Sequence, residues 1–147
     1  MAAGNENPKL LLEIMHPLFT KADALSRIAI SAAIEVHRLK GAGLLESIYE
    51  KCMMRELELQ HVPSTNQHLI QIEYKGMVFE EALRCDLLVA DCLLLELKSI
   101  EKVLPIHKAQ LLSYMKLLDM PIGLIINFHE VRLVDGVIRM VLRGADK

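Results

Sequence analysis

The segment CLLLELKSI at 92–100 is apolar throughout its strand-like core except at Glu96 and Lys98. Side chains of an extended chain alternate, so this i, i+2 pair projects from one face. The run before it, LRCDLLVA at 83–90, carries a single acid, Asp86, among mostly apolar neighbours. A three-residue turn centred on Asp91 would set Asp86 opposite Glu96 on the same face, near enough for both carboxylates to share one cation. A two-residue turn at Ala90-Asp91 would instead set Asp86 opposite Leu95 and on the other face. Charges in buried strands are costly unless they are paired or coordinate a metal. Two carboxylates with a backbone carbonyl and waters suit a hard octahedral cation, Mg²⁺ or Mn²⁺. Such an ion polarises a phosphodiester and lowers the pKa of a bound water. The Lys98 ammonium can orient or deprotonate that water, or neutralise charge developing on phosphorus. Taken in isolation, an acid-x-Lys is more often an ion pair at a strand end with no chemistry.

The flanking elements must bring further polar groups to that point. Pro105 suits the first turn of a helix over 105–118, which Asp119-Met120-Pro121 stops. At about 100° per residue, His107, Gln110 and Tyr114 share its face with Leu111 and Leu118, the face expected to pack on the sheet. In a helix over 43–58, Glu46 lies on the stripe of Tyr49, Met53 and Leu57 and is expected to point inward. Each such group alone is more often a satisfied core hydrogen bond; their convergence near an acid pair is less easily structural.

Upstream, 22–38 is rich in Ala, Ile and Leu at helical spacing and GAG at 41–43 interrupts it, giving two consecutive helices or one broken helix. A loop at 62–66 precedes HLIQIEY, a Lys75-Gly76 turn and MVFEEA, a hairpin pattern. After the helix at 105–118, IGLIINF and VIRMVL supply two more strands. The order predicts an α/β or α+β domain with one mixed sheet and helices packed on it. LLLEIMHPLF at 10–19 is either a short docked helix or an exposed arm. Residues 1–20 read as an N-terminal extension and 21–147 as one domain, as a length of 147 residues favours.

Hydrophobic residues at 52% and charged ones at 24%, with few Pro and Gly, exclude a disordered or collagen-like chain. A formal charge of -2 excludes a global basic field, so a phosphate-binding surface has to be local. Within 98–119, Lys98, Lys102, Lys108 and Lys116 against Glu101 and Asp119 provide a modest one. The three cysteines contain no C-x-x-C, which points to free thiols in a reducing cytosol. Apolar runs fall short of the ~18 residues a membrane span needs. The N-terminus lacks a basic n-region, so a cytoplasmic protein without a signal peptide is expected.

GLLESIY at 43–49 matches the signature of the GxxExxY family, and Cys85-Asp86 followed by Glu96-Leu97-Lys98 resembles the bipartite motif of the PD-(D/E)XK nuclease superfamily, to which that family belongs. The likeness runs from about Ala22 to Val141. It includes AAIEVHRLKGAGLLESIYE at 32–50, YKG at 74–76, PIHKAQLLSY at 105–114, LIINF at 124–128 and GVIRMV at 136–141. The resemblance implies a restriction-endonuclease-like αβββαβ core, an α/β fold with one mixed sheet flanked by helices. It makes Asp86 and Glu96 ligands of Mg or Mn, Lys98 the catalytic lysine, and Glu46 the helix acid that completes or supports the metal shell. Gln110 and Tyr114 match a Q-x-x-x-Y that helps hold DNA or the active site, and Gly41 and Gly43 match the glycines before the signature helix. Cys85 stands where the superfamily name has Pro. The four clustered cysteines of iron–sulfur members are absent, so no iron–sulfur cluster is expected. The implied activity is hydrolysis of nucleic acid, DNA foremost, with a homodimer or protein partner to enlarge the small basic footprint and no membrane. The alternative is a catalytically silent module that binds nucleic acid or protein on the same fold.

Overall fold

The computed structural model describes residues 15–79 and 83–147. Helix α1 (Phe19–Lys40) buries Ala22, Ser26, Ala29, Ala32, Ala33 and Val36 along one stripe, and these small side chains let it lie close on the sheet. It ends at Gly41, whose φ of 71° turns the chain while its N–H donates to His37 O. Helix α2 (Glu46–Leu59) follows as a separate element and buries Tyr49, Met53 and Leu57. The glycines therefore divide two helices. Strands β1 (Ser64–Leu69), β2 (Ile72–Tyr74), β3 (Met77–Phe79), β4 (Arg84–Val89) and β5 (Leu93–Lys98) come next. Helix α3 (Pro105–Leu118), β6 (Ile122–Asn127), a short 3-10 turn (Leu133–Gly136) and β7 (Val137–Val141) complete the order.

The main sheet runs β1-β4-β5-β6-β7. Only β5 and β6 pair in parallel, because α3 carries the chain back across the sheet between them; the other neighbours are antiparallel. Helices cover both faces. Leu87, Val89, Leu93, Leu95, Leu97, Leu124 and Ile126 pack toward α1 and α2, whereas Leu88, Leu94 and Ile125 pack with Leu111, Tyr114 and Met115 of α3. A strand covered on both faces reads as a continuous apolar run, as β6 does up to Asn127, with all six positions buried. The mixed sheet flanked by helices is the expected restriction-endonuclease-like arrangement.

Helix α3 presses hard on β6: a Cβ at Gly123 would meet Met115 Sδ at 2.8 Å and Leu111 Cδ1 at 2.9 Å. Gly123→Ala is expected to lower stability by roughly 1–3 kcal/mol through overpacking, read as a shift in the urea midpoint.

Two sequence expectations change. Ser64, Thr65 and Asn66 are not loop residues but open β1, and HLIQIEY is not one strand but divides at Ile70-Gln71 into the end of β1 and all of β2. β1 is an edge strand whose positions are mostly exposed, so its polar composition looks like a loop. The Lys75-Gly76 turn closes β2 and β3 as expected, with both residues at positive φ. That hairpin pairs only with itself.

From His16 onward the chain joins the body: His16 N–H donates to Ala145 O at 3.0 Å, and Leu18 and Phe19 pack against the core. Most of the expected extension, and the start of LLLEIMHPLF, lie outside the described residues. Among the described residues no helix is long and apolar enough to cross a membrane. Cys52, Cys85 and Cys92 are free.

Candidate active site

The register of β4 and β5 pairs Leu87 with Leu95, Leu88 with Leu94 and Val89 with Leu93. The turn is thus the three-residue one, Ala90-Asp91-Cys92, with Ala90 and Asp91 at φ 48° and 55° and Cys92 N–H donating to Val89 O. One step further along that register, Asp86 faces Glu96. There side chains replace the backbone ladder: Asp86 N–H donates to Glu96 Oε1 at 3.2 Å, and Leu97 N–H donates to Asp86 Oδ2 at 2.8 Å. Each acid fastens the other's strand. Cys85 and Leu88 pack in the same α3-side cluster although they are three positions apart, so strand alternation breaks at Asp86.

The edge strand is irregular at the same level. β1 and β4 pair Asn66 with Leu87 and His68 with Cys85, leaving Gln67 and Asp86 unpaired between them. Gln67 has φ 49° and is, among the described residues, the only one within a strand to adopt a positive φ without being glycine. Strained backbone of this kind concentrates at functional sites.

Burial sets the charge state of the pair. Glu96 is 6% exposed. Loss of hydration, reinforced by the negative charge of Asp86, pushes its carboxyl up to about 8. Burial also raises Asp86, opposed by the Leu97 N–H and the hydrogen bond from Glu96. The Lys98 ammonium pulls both back down. Near neutral pH the two carboxyls therefore share a proton. The Cys85 thiol is pushed up to about 12, chiefly by burial, so it is no nucleophile. Tyr114 is buried in the α3-side core, and its phenol is raised by burial and then by the charge on Glu96, which places it among the groups facing the pair.

Gln110 Nε2 donates to Tyr114 Oη at 2.9 Å, joining the two residues of the Q-x-x-x-Y spacing, although Gln110 is exposed rather than packed on the sheet. His107 does not face the sheet as a site residue; its Nδ1 accepts the Leu104 N–H at 2.9 Å and caps α3.

Glu46 departs from the sequence expectation. It is exposed rather than inward, because it is the first residue of α2 and lies a turn before the buried Tyr49. Its Oε1 accepts the Ser99 N–H at 3.3 Å just past β5, and Ser99 Oγ donates to Leu44 O at 2.6 Å. The Tyr of the GLLESIY segment is structural. Tyr49 Oη donates to Gly41 O at 2.6 Å, accepts from Leu44 N–H at 3.1 Å, and its ring stacks on Phe128 at 4.2 Å. Tyr49→Phe is expected to cost about 1–3 kcal/mol by orphaning both backbone groups, measurable by chemical denaturation.

Sequence reasoning missed Glu50. Its carboxylate accepts from Asn66 Nδ2 at 3.0 Å and from Gln67 Nε2 at 2.8 Å, and its charge is one of those that raise Asp86. Its i+4 spacing from Glu46 was the available signal.

Lys98 ends β5 beside the pair, and Asn127, opposite it on β6, clamps the exit of the chain: its side chain bonds both the N–H and the C=O of Ile100. Among the described residues no three His, Cys, Asp or Glu side chains gather closely enough to enclose a metal. Asp86 and Glu96 nevertheless offer what a hard divalent ion requires, two facing carboxylates whose joint charge is compensated by a shared proton that a cation can displace. Residues 23–140 match the family model described as the PD-(D/E)XK nuclease superfamily. Comparison with curated proteins and with solved structures gave no significant match.

Proposed function

The chain belongs to the PD-(D/E)XK nuclease superfamily, and from that premise we propose that it is a Mg- or Mn-dependent phosphodiesterase of the GxxExxY branch that hydrolyses nucleic acid, DNA foremost. The observation that carries this reading is the reciprocal Asp86–Glu96 contact, buried in the sheet beside Lys98. Asp86 and Glu96 would hold the ion, which when bound polarises the phosphodiester and lowers the pKa of a coordinated water. Both carboxylates are already oriented by the N–H groups of the facing strand, so little reorganisation accompanies binding. Glu96 would hold the ion as a carboxylate, having released its proton to solvent. Lys98 orients the attacking water and offsets charge that develops on the phosphoryl oxygens. Gln110 donates to Tyr114 Oη, which leaves the phenolic proton available to a phosphate oxygen or to the acid pair. Glu46 acts from outside the pair, by holding the Ser99 N–H where β5 ends.

Free thiols fit a reducing cytoplasm, and a second copy or a protein partner would enlarge the small basic footprint. The second reading is a silent binding module; it draws on the protonated pair, which is self-sufficient without a cation, and on the absence of a third gathered ligand among the described residues.

Two measurements separate the readings. Cleavage of single- and double-stranded DNA and RNA is assayed with Mg²⁺ or Mn²⁺, and Mn²⁺ binding is titrated calorimetrically in wild type and Glu96→Ala. Catalysis predicts cleavage together with Mn²⁺ binding that Glu96→Ala abolishes. A wild type that binds no metal and cuts nothing selects the module.

A further inference from the structure

The β2–β3 hairpin forms a sheet of its own and carries an apolar face that the described residues cover only at its base. Its register, Ile72 with Phe79 and Tyr74 with Met77, sets these four side chains on one face, while Glu73 and Val78 lie on the other. Ile72 and Phe79 are half-buried at the base. Toward the tip the same face opens: Tyr74 is 61% and Met77 56% exposed. The Lys75 ammonium lies over one face of the Tyr74 ring, 5.4 Å from its centroid, which leaves the other face open. A two-stranded hairpin is marginal in water by itself, so leaving an aromatic and a methionine bare at its tip is an expense that folding does not explain.

Its root is the second observation. The strand pair β1–β4, from which the hairpin emerges, ends at Leu69–Arg84, and Ile70 N–H donates to Leu83 O at 2.7 Å just beyond. Asp86 lies two residues inward from that root, at the level of Gln67. Tyr74 lies seven positions along the chain from Gln67, so at about 3.3 Å per residue its Cα stands no more than about 23 Å from the acid pair's level. That span equals about seven stacked nucleotides at 3.4 Å each. The hairpin tip therefore lies within reach of a strand bound at the acid pair.

We propose that this hairpin is a stacking arm for an unpaired nucleic-acid strand, with a base lying on the Tyr74 ring, Met77 against its edge, and Lys75 at the adjoining phosphate. The inference rests on the nuclease reading and narrows its substrate to single-stranded or locally opened nucleic acid. Every base has a π-face, so an aromatic platform grips a strand without reading its sequence. With one lysine and one glutamate on the hairpin's described strands and turn, the arm contributes stacking and little ion release.

The test is fluorescence anisotropy of a labelled dT12 and of a blunt duplex, in EDTA so that metal-dependent cleavage is stopped, with wild type, Tyr74→Ala and Tyr74→Phe across a salt series. The expected result is preference for dT12, a 5- to 100-fold weaker Kd in Tyr74→Ala with an unchanged salt slope, and near wild-type affinity in Tyr74→Phe. Equal dT12 affinity in wild type and Tyr74→Ala overturns the arm, and wild-type cleavage in the metal-loaded assay then leaves the nuclease reading standing. Duplex preference overturns it equally. Sedimentation covers the rival occupant: a wild-type dimer that Tyr74→Ala dissociates, with dT12 affinity retained, assigns the face to a second copy instead. A wild type that neither binds nor cleaves any nucleic acid removes both readings together.

Discussion

Asp86→Asn is expected to lower metal-dependent cleavage by about 10³-fold or more, with the fold intact. The substitution keeps the shape of the side chain, and its amide oxygen can still accept the Leu97 N–H that Asp86 Oδ2 now takes at 2.8 Å. What disappears is one of two negative charges that must hold the ion, and with it the polarisation of the scissile phosphate. Lys98→Ala leaves the carboxylates in place and removes only the ammonium beside them, so its expected loss is smaller, about 10²–10³-fold, the usual scale for deleting one electrostatic contact to developing charge. Mn²⁺ affinity should divide the two variants: strongly weakened in Asp86→Asn and nearly unchanged in Lys98→Ala. Single-turnover cleavage with Mg²⁺ or Mn²⁺, alongside thermal melts as a control for folding, measures both. Wild-type rates in the two variants would remove the proposed mechanism.

How far the site was readable from residues alone depended on whether each position is set by local pattern or by distant contacts. Glu96 and Lys98 stand out because β5 is covered on both faces and everything else in it is apolar. Their partner Asp86 was visible as a residue, but its placement depended on a turn whose length the residues leave open, since Ala90 and Asp91 both adopt positive φ without a glycine to announce it. Glu46 was misdirected by periodicity. A helical wheel assigns it to the buried stripe, yet a wheel does not say where the helix begins, and the first residue of α2 projects beyond the sheet it would need to face. Glu50 and Gln67 escaped for the opposite reason: they are polar residues at polar-looking positions, joined only when the edge strand β1 passes beside α2. The 62–66 stretch shows the same limit, because an edge strand with solvent-facing side chains has the composition of a loop. Elements held by burial were legible; those held by pairing across the chain required the fold.

Glu96→Gln is expected to stabilise the metal-free protein increasingly from pH 5 to pH 9. Burial holds the Glu96 carboxyl at about 8 in the folded protein, whereas in the unfolded chain it titrates near 4.3. Between those values the native state keeps a proton that the unfolded state has lost. The unfolded state thus binds fewer protons, and stability falls as pH rises through this window. Below pH 4 both states are protonated and this group imposes no penalty; above about pH 9 the penalty is complete. Glutamine stays neutral throughout, can accept the Asp86 N–H as Glu96 Oε1 does, and can donate its amide to the Asp86 carboxylate. Its advantage should grow to a few kcal/mol, on the order of 2–4, by pH 8–9. Mg²⁺ or Mn²⁺ should offset that advantage and, toward neutral pH where it is smaller, reverse the order. A hundredfold excess over Kd adds about 2.7 kcal/mol to a protein that binds the ion only when folded, and Glu96→Gln forfeits most of that gain. Urea denaturation from pH 5 to 9, in EDTA and again with Mn²⁺, tests both halves; parallel pH profiles for the two proteins in EDTA would mean that Glu96 is ionised in the folded chain and that the proton-for-cation exchange at this pair is wrong.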